Sequence, residues 1–258
     1  MKKERLCIID ADSLLYYTMG ANSLEEAISD IDSRIIDILE KCKSKTYILC
    51  ITENNCFRYD LATIRPYKGN RKKGNKPIIF YALRQHLKQK YLAYSDKRLE
   101  ADDAVAFFKK KLEDTYDIII CSPDKDVRET VEGKHYDYSK NKFTTTSLTE
   151  ACKFLFTQTL TGDSTDNIQG VPGVGTVKAN KLLSKAQGSI FGATLDVYIE
   201  EFGLAQGVYR FQENFRLVYL LRTDEDMLRE IGLVPSIPKV QTINLKTSNG
   251  DDKEYSQF

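Results

Sequence analysis

The 258-residue chain is 41% hydrophobic and 29% charged, and 38 Lys+Arg against 37 Asp+Glu leave a formal net charge of +1, the balance of a soluble globular protein of one large or two small domains. Its six cysteines are irregularly spaced with no C-x-x-C pair, which argues against a disulfide scaffold or a zinc site and for a reducing compartment, while two histidines leave little room for histidine-rich catalysis. No apolar run approaches the roughly 18 residues of a membrane span, and Asp10 and Asp12 break the first apolar run before it could serve as a signal peptide.

In chain order, Leu6-Cys7-Ile8-Ile9 reads as a buried strand ending at Asp10, with Asp12 just beyond. Ala27, Ile31, Ile35, Ile38 and Leu39 recur at helical spacing and predict a helix over about 24–41. Residues 47–51 (YILCI) predict a second strand. A basic run follows. Between Arg65 and Arg98 stand eleven Lys/Arg and one acid, Asp96, so the rest of the chain holds 27 cations against 36 acids. Such a run is often only a solvated face. Here Tyr67, Phe80, Tyr81, Tyr91 and Tyr94 are interleaved with it, and cations among rings suit the phosphates and flat bases of a nucleic-acid strand.

Glu100, Asp102 and Asp103 then open a helix whose apolar stripe is Ala101, Val105, Phe108 and Leu112. Residues 117–121 (DIIIC) predict a third strand, followed by SPDKD with Asp124 and Asp126, and 134–147 predicts a hairpin turning near Asn141. From Leu148 to about Gly232 the pattern is mostly helical, and the tail after Pro235 is polar, aperiodic, and extended or mobile. Buried β runs separated by helices predict an α/β fold with a mostly parallel central sheet flanked by helices. The organisation expected is an α/β core over 1–147, a helical region over 148–233 and a tail over 234–258.

Ligands of open α/β sheets bind beyond the carboxyl ends of the strands. Asp10, Asp12, Asp124 and Asp126 stand at such ends, with Glu100, Asp102 and Asp103 at a helix start and Asp163 and Asp166 in GDSTDN. Taken singly, each group has an ordinary explanation, as a complement to the helix dipole, a turn residue or a cap. Together, such carboxylates cannot all ionise side by side unless cations sit among them. Without His or Cys ligands, hard cations such as Mg²⁺ or Mn²⁺ are favoured over zinc. Two of them suit hydrolysis of a phosphodiester by water.

Residues 170–178 read GVPGVGTVK between two helical patterns, about 149–160 and 176–185. Glycines let backbone approach a ligand closely, and the N–H groups at the following helix start point at an anion. No GK[ST] closes the run, so it is not a nucleotide-binding P-loop. A helix-hairpin-helix gripping DNA phosphates fits, against the plainer reading of a tight turn between packed helices.

Five ordered motifs then carry a resemblance: IIDAD at 8–12, FR at 57–58 with RPYKGNRK at 65–72, EADD at 100–103, SPDKD at 122–126, and GDSTDNIQGVPGVGTVKA at 162–179. From about Leu6 to Leu221 the chain resembles the 5′-nuclease superfamily of flap endonucleases and 5′→3′ exonucleases, in its phage-type or bacterial polymerase-associated branch. The resemblance implies a PIN-like nuclease core, a helical arch at about 65–98 and a helix-hairpin-helix region. Asp10, Glu100, Asp102, Asp124 and Asp126 would hold or surround one metal, and Asp103, Asp163 and Asp166 would serve the second. Lys68 would contact the scissile phosphate with Arg71 alongside, so Lys68, Arg71, Asp10 and Asp124 are the catalytic candidates. Tyr67 would stack on a base, and Arg65 and Lys72 belong to the same strand-binding segment. Gly170, Gly173, Gly175, Thr176 and Lys178 would bind duplex backbone, with a K⁺ ion held by loop carbonyls.

The implied cofactors are two Mg²⁺ or Mn²⁺ ions. The implied partner is DNA with a 5′ flap or single-strand/duplex junction, or an RNA/DNA hybrid, met by a monomer in the bacterial cytoplasm, host- or phage-encoded, in replication or repair. Three departures stand out: Glu53 occupies the region where the family places an aspartate before the FR pair, Asp12 replaces a small residue, and Gln169 replaces a proline. The competing readings are a PIN-type endoribonuclease and a catalytically silent junction-binding protein.

Overall fold

Three short apolar runs make the centre of the molecule: β1 (Arg5–Asp10), β2 (Thr46–Cys50) and β3 (Asp117–Cys121). In the computed structural model, which describes residues 3–71, 74, 76–186 and 188–245, β1 lies between β2 and β3 and is parallel to both. Alternation sorts their side chains onto two faces. Cys7, Ile9, Tyr47, Leu49, Ile119 and Cys121 face one core, while Leu6, Ile8, Ile48, Cys50, Ile118 and Ile120 face the other. Both faces are covered, which is why these strands read as unbroken apolar runs.

The first core is closed by α1 (Asp12–Thr18), α2 (Leu24–Cys42) and α4 (Ile78–Lys90); a short α3 (Arg58–Leu61) lies between β2 and α4. Ser23 caps α2 by accepting from the Glu26 amide at 3.1 Å, and Ile31, Ile35, Ile38, Leu39 and Cys42 form its buried stripe. The second core is closed by α5 (Ala101–Leu112) through Val105, Phe108 and Leu112, with Val127 of α6 (Lys125–Thr130) added. Beyond α6, β4 (Gly133–Asp137) pairs parallel to β3, and β5 (Lys142–Thr146) returns antiparallel through a turn where Asn141 takes φ 49°.

A third, smaller core forms where α7 (Leu148–Thr161), α8 (Thr176–Ser184), α9 (Ile190–Phe202) and α10 (Leu204–Val218) meet around Leu160, Val174, Tyr198 and Phe211. Between α7 and α8 a two-residue ladder joins β6 (Gly162–Asp163) to β7 (Ile168–Gln169). It demands glycine. A Cβ on Gly170 would sit 2.2 Å from the Thr161 carbonyl carbon, and one on Gly162 would sit 2.3 Å from the Gly170 nitrogen. Helix α11 (Asp224–Ile231) then returns to the second sheet core through Met227 and Ile231.

Two stretches differ from the sequence reading. Within the stretch expected to be extended or mobile, β8 (Gln241–Thr242) adds antiparallel to β2, and Ile243 is buried beside it. The part from residue 246 onward lies outside the described residues. Within 65–98, α4 is not a free basic helix; Phe80, Leu83 and Leu87 dock it onto the sheet core. Residues 72, 73 and 75, and so the expected contact of Lys72, lie outside the described residues.

Candidate functional site

The topology delivers acids to one end of the sheet. β1 ends at Asp10, and β3 is followed by Ser122, Asp124 and Asp126, the last two opening α6. Glu100 is the N-cap of α5, which carries Asp102 and Asp103 in its first turn. Asp163 ends β6, and Asp166 lies in the turn that leads to β7. A cavity of about 40 Å³ is lined by Glu100, Asp102, Asp126, Asp163 and Asp166 together with Tyr67.

Hydrogen bonds fix most of these carboxylates. Asp10 accepts from the Asp12 amide at 3.1 Å and from the Ser122 hydroxyl at 2.9 Å. Ser122 in turn accepts from the Asp124 amide at 3.0 Å, and Asp124 caps α6 by accepting from the Asp126 amide at 2.7 Å. Gln158 of α7 donates to Asp126 at 2.9 Å. Asp163 accepts from the Thr165 amide at 2.7 Å, as in an Asx turn. The short spacing of SPDKD is therefore explained locally: one residue caps, the next acid is held over the helix start.

Electrostatics show a site short of positive charge. Burial, then the neighbouring Asp12, push the Asp10 carboxyl up to about 7. Burial, then Asp124 and Asp163, do the same to Asp126, again to about 7. Asp102 is raised well above the carboxylate range by burial and then by Asp10, Asp124, Glu100 and Asp103, all of its own sign. Glu100 goes the other way: burial raises it, but Arg58 and Lys68 outweigh burial and hold it low. An all-carboxylate donor set whose members resist ionising together fits hard divalent cations. The acids surround the site without converging on one point, because among the described residues no three carboxylates bring oxygens within 4.8 Å of one another.

The basic segment is stitched onto the same site. The Lys68 amide donates to the Asp166 carbonyl at 2.9 Å, Asn70 donates to the Ser164 carbonyl at 2.6 Å, and Asn167 donates to the Pro66 carbonyl at 2.9 Å. Lys68, at φ 54°, thereby points its ammonium at Glu100, with Asp166 3.9 Å away. Arg71 donates to Asp166 at 2.6 Å with a side chain 52% exposed. Arg65 is exposed.

Three sequence expectations are corrected by these positions. Tyr67 was expected to stack on a base, but it is 4% exposed; its hydroxyl lies 2.8 Å from both Glu100 and Asp166, and its ring packs edge-on against Tyr59. Asp103 was expected on the second-metal side, yet it is fully buried. Its two oxygens accept from both terminal nitrogens of Arg58, at 2.6 and 2.9 Å, and from the Leu221 amide at 3.1 Å. Glu53 was expected to replace a metal-binding aspartate; instead it pairs with Arg84 at 2.9 Å and with Lys88 and accepts from Ser95 at 2.6 Å.

Other residues enter that the motifs alone did not assign. Asp12 joins the acidic group, raised by burial and held by the Thr52 amide at 2.9 Å. Arg58, 2% exposed, ties Asp103 to Glu100 at 3.1 Å and also donates to the Leu217 and Tyr219 carbonyls, both at 2.8 Å. The FR pair at 57–58 marks it in the sequence, but nothing local names its partners. The charge run is divided too. Lys88, Lys90 and Arg84 neutralise Glu53 and Asp32, and Arg98 donates to the Ile231 carbonyl at 2.6 Å.

Next to the acids, the hairpin brings its glycines to the start of α8. Gly173 takes φ +68°, and Gly175 is the N-cap without any side-chain acceptor, so the first amides of α8 face outward beside Thr176, Lys178 and Lys181.

No protein-family model matches the chain. Among curated proteins, the chain is 28% identical over 206 residues to DNA polymerase I of Rhizobium leguminosarum, covering 75% of this chain but only 20% of that protein. It is 27% identical over 201 residues to the 5′-3′ exonuclease of Mycoplasmopsis pulmonis, 71% of this chain and 67% of that one. It is 25% identical over 219 residues to the flap endonuclease Xni of Shewanella woodyi, 77% and 83% of the two chains. Among solved structures, the T5 D15 protein co-crystallised with metal ions shares the fold at TM-score 0.69 and 20% identity, over 84% of this chain and 90% of that one. Five motifs in order, these relatives and this fold agree in what the chain is similar to: the 5′-nucleases, in sequence to 5′-3′ exonucleases and flap endonucleases and in fold to the T5 D15 protein.

Proposed function

We propose that the chain is a metal-dependent 5′-nuclease that hydrolyses DNA phosphodiesters near 5′ ends and single-strand/duplex junctions, with exonuclease and flap endonuclease modes, in replication or repair. The observation that carries this reading is the seating of Lys68 and Arg71 directly on Glu100 and Asp166, at the edge of the acidic site. Asp10, Asp102, Asp124 and Asp126, with Glu100, would hold the inner cation, and Asp163 and Asp166 the outer one. Mg²⁺ or Mn²⁺ bound there supplies Lewis acidity to the phosphate and makes water a competent nucleophile near neutral pH.

The chain's own residues do the rest. The Lys68 ammonium, fixed by a backbone bond to the Asp166 carbonyl, is placed to exchange carboxylate for a non-bridging phosphate oxygen as charge builds there. Arg71 offers its exposed guanidinium to a neighbouring phosphate as a fork. Asp103 and Arg58 keep Glu100 from rotating away. The open α8 amides at Gly175 and Thr176, with Lys178, would hold duplex backbone without reading bases, and carbonyls of the Gly170–Gly175 loop would hold a K⁺ ion serving the same grip.

A 5′-labelled flap substrate, incubated with and without Mg²⁺ beside a matched RNA strand, tests the reading. Mg²⁺-dependent release of short DNA products from the 5′ side is expected. Cutting of the RNA strand alone would instead favour an endoribonuclease. Asp124→Asn should abolish cleavage yet bind the flap normally in Ca²⁺, and wild-type rates in that variant would remove the acids from the chemistry.

A further inference from the structure

Outside the acidic site, one cluster of chemically capable side chains has no part in the proposed reaction. Cys7 of β1, Cys42 at the end of α2 and Cys121 at the end of β3 are 0%, 1% and 0% exposed, and their sulfurs all lie within 4.8 Å of one another. The Cys42 and Cys121 sulfurs are 3.6 Å apart. Among the described residues no other set of three His, Cys, Asp or Glu side chains brings its ligand atoms so close. Positions 7, 42 and 121 are too far apart in sequence for a spacing motif, which is why composition argued against a thiol site. Three-dimensional pairing reverses that: β1 and β3 are ladder neighbours, and α2 ends over them.

The geometry points to a three-coordinate thiolate site for a soft d¹⁰ cation such as Cd²⁺ or Cu⁺. A metal–sulfur bond of roughly 2.3 Å in a flat three-ligand arrangement spaces the sulfurs about 4 Å apart, and thiolates select soft ions over the hard cations of a carboxylate site. The fit needs no backbone rearrangement, since each sulfur already comes from a rigid element of the core. A divalent ion entering the site breaks three S–H bonds and forms three metal–sulfur bonds. Three protons pass to solvent, one negative charge remains on the complex, and no oxidant is required. Arg5 stands beside the cluster, donating to the Cys42 carbonyl at 2.9 Å while paired with Asp117 at 3.1 Å. Cys50 and Cys56 are equally buried but belong to no such triple, so burial alone does not define the site. Cys7 and Cys121 each precede an acid of the catalytic group by three residues, so an occupied site would tie together the strands that carry Asp10 and Asp124.

The test is titration of the reduced full-length chain with Cd²⁺ under anaerobic conditions, after saturating the carboxylates with Mg²⁺. One equivalent should produce a sulfur-to-cadmium charge-transfer band in the ultraviolet, with a ¹¹³Cd resonance in the all-thiolate range, release of three protons and protection of three thiols from alkylation. Cys42→Ser should weaken that binding at least a hundredfold, whereas Cys56→Ser should leave it unchanged. Absence of the band in the wild-type chain, which needs no variant to fold, would overturn the proposal. So would a band that survives in Cys42→Ser, or a ¹¹³Cd shift characteristic of oxygen ligands.

Discussion

Under the proposed function, Lys68 is placed for a role in the transition state. Its ammonium is largely withdrawn from water among Glu100 and Asp166, and although burial disfavours its charge, those two carboxylates keep its pKa raised. A cation so placed is charged at every working pH, and its contact with a phosphate strengthens as negative charge develops. Lys68→Ala should therefore lower the single-turnover cleavage rate by ~10²-fold while changing flap affinity in Ca²⁺ only slightly. An unchanged single-turnover rate would take Lys68 out of the chemistry. Asp126 gives a second residue-level outcome, read in stability. Its carboxyl sits at about 7 in the metal-free fold and near the ordinary aspartate value of 3.8 when unfolded. The folded state thus holds an extra proton between those values, so the group makes folding progressively less favourable as pH rises from about 4 to about 7. His135, lowered to about 4 by burial, works in the opposite sense up to about 6.5, while the raised Asp10 and Asp102 act in the same sense as Asp126, so the whole-protein profile mixes them. Asp126→Asn isolates the contribution of Asp126. In chelator, this variant should melt above the wild type at pH 8 and close to it at pH 5, because the wild-type group is then mostly neutral; thermal scans at the two pH values give the answer.

At the scale of elements, the local signals were strongest where one element answers to one pattern. Unbroken runs such as ILC and III, short and flanked by polar residues, read as strands buried on both faces, and the EADD start of α5 states its own capping. What could not be read is pairing across the chain. Asp103 looked like its neighbours until Arg58, 45 residues earlier in sequence, was found holding it. Glu53 looked like a displaced ligand until α4 brought Arg84 and Lys88 over it. β8 has only two residues and no alternation to detect; it exists because Ile243 finds a place in the sheet core. The hairpin is the element whose sequence and geometry agree most closely, and it makes a sharp prediction. At Gly170 a methyl group would meet the Thr161 backbone at 2.2 Å and the Leu160 carbonyl oxygen at 2.4 Å, neither of which can swing aside as a side chain would. Gly170→Ala should cost on the order of 1–3 kcal/mol of stability, the range for overpacked sites. Because β6, carrying Asp163, pairs with β7 across this contact, the same change should weaken both duplex binding and cleavage. Urea melts and a Ca²⁺ binding curve on one preparation measure both. A variant of wild-type stability would mean that the ladder is not under the steric constraint described.

For the whole molecule, the net charge of +1 conceals a division of labour finer than an acidic body and a basic segment. The 65–98 stretch has eleven cations, but they do different things. Arg84 and Lys88 neutralise Glu53, and Lys90 pairs with Asp32 at 2.7 Å, so these hold α4 to the core. Arg71 is exposed at the acidic site, and Lys178 lies at the hairpin on a separate element. Counting charges along the sequence therefore overstates how many phosphates the segment can neutralise; burial and pairing decide it. Salt titration turns this into numbers, because each phosphate contact on duplex DNA adds about 0.9 to the slope of log affinity against log salt. Flap binding in Ca²⁺, followed from about 50 to 200 mM salt, should lose close to one contact's worth of slope in Arg71→Ala and again in Lys178→Ala. Lys88→Gln and Lys90→Gln should leave the slope unchanged while lowering the melting temperature. The reverse pattern, with the α4 lysines carrying the salt dependence, would mean that α4 leaves its core position to meet the strand.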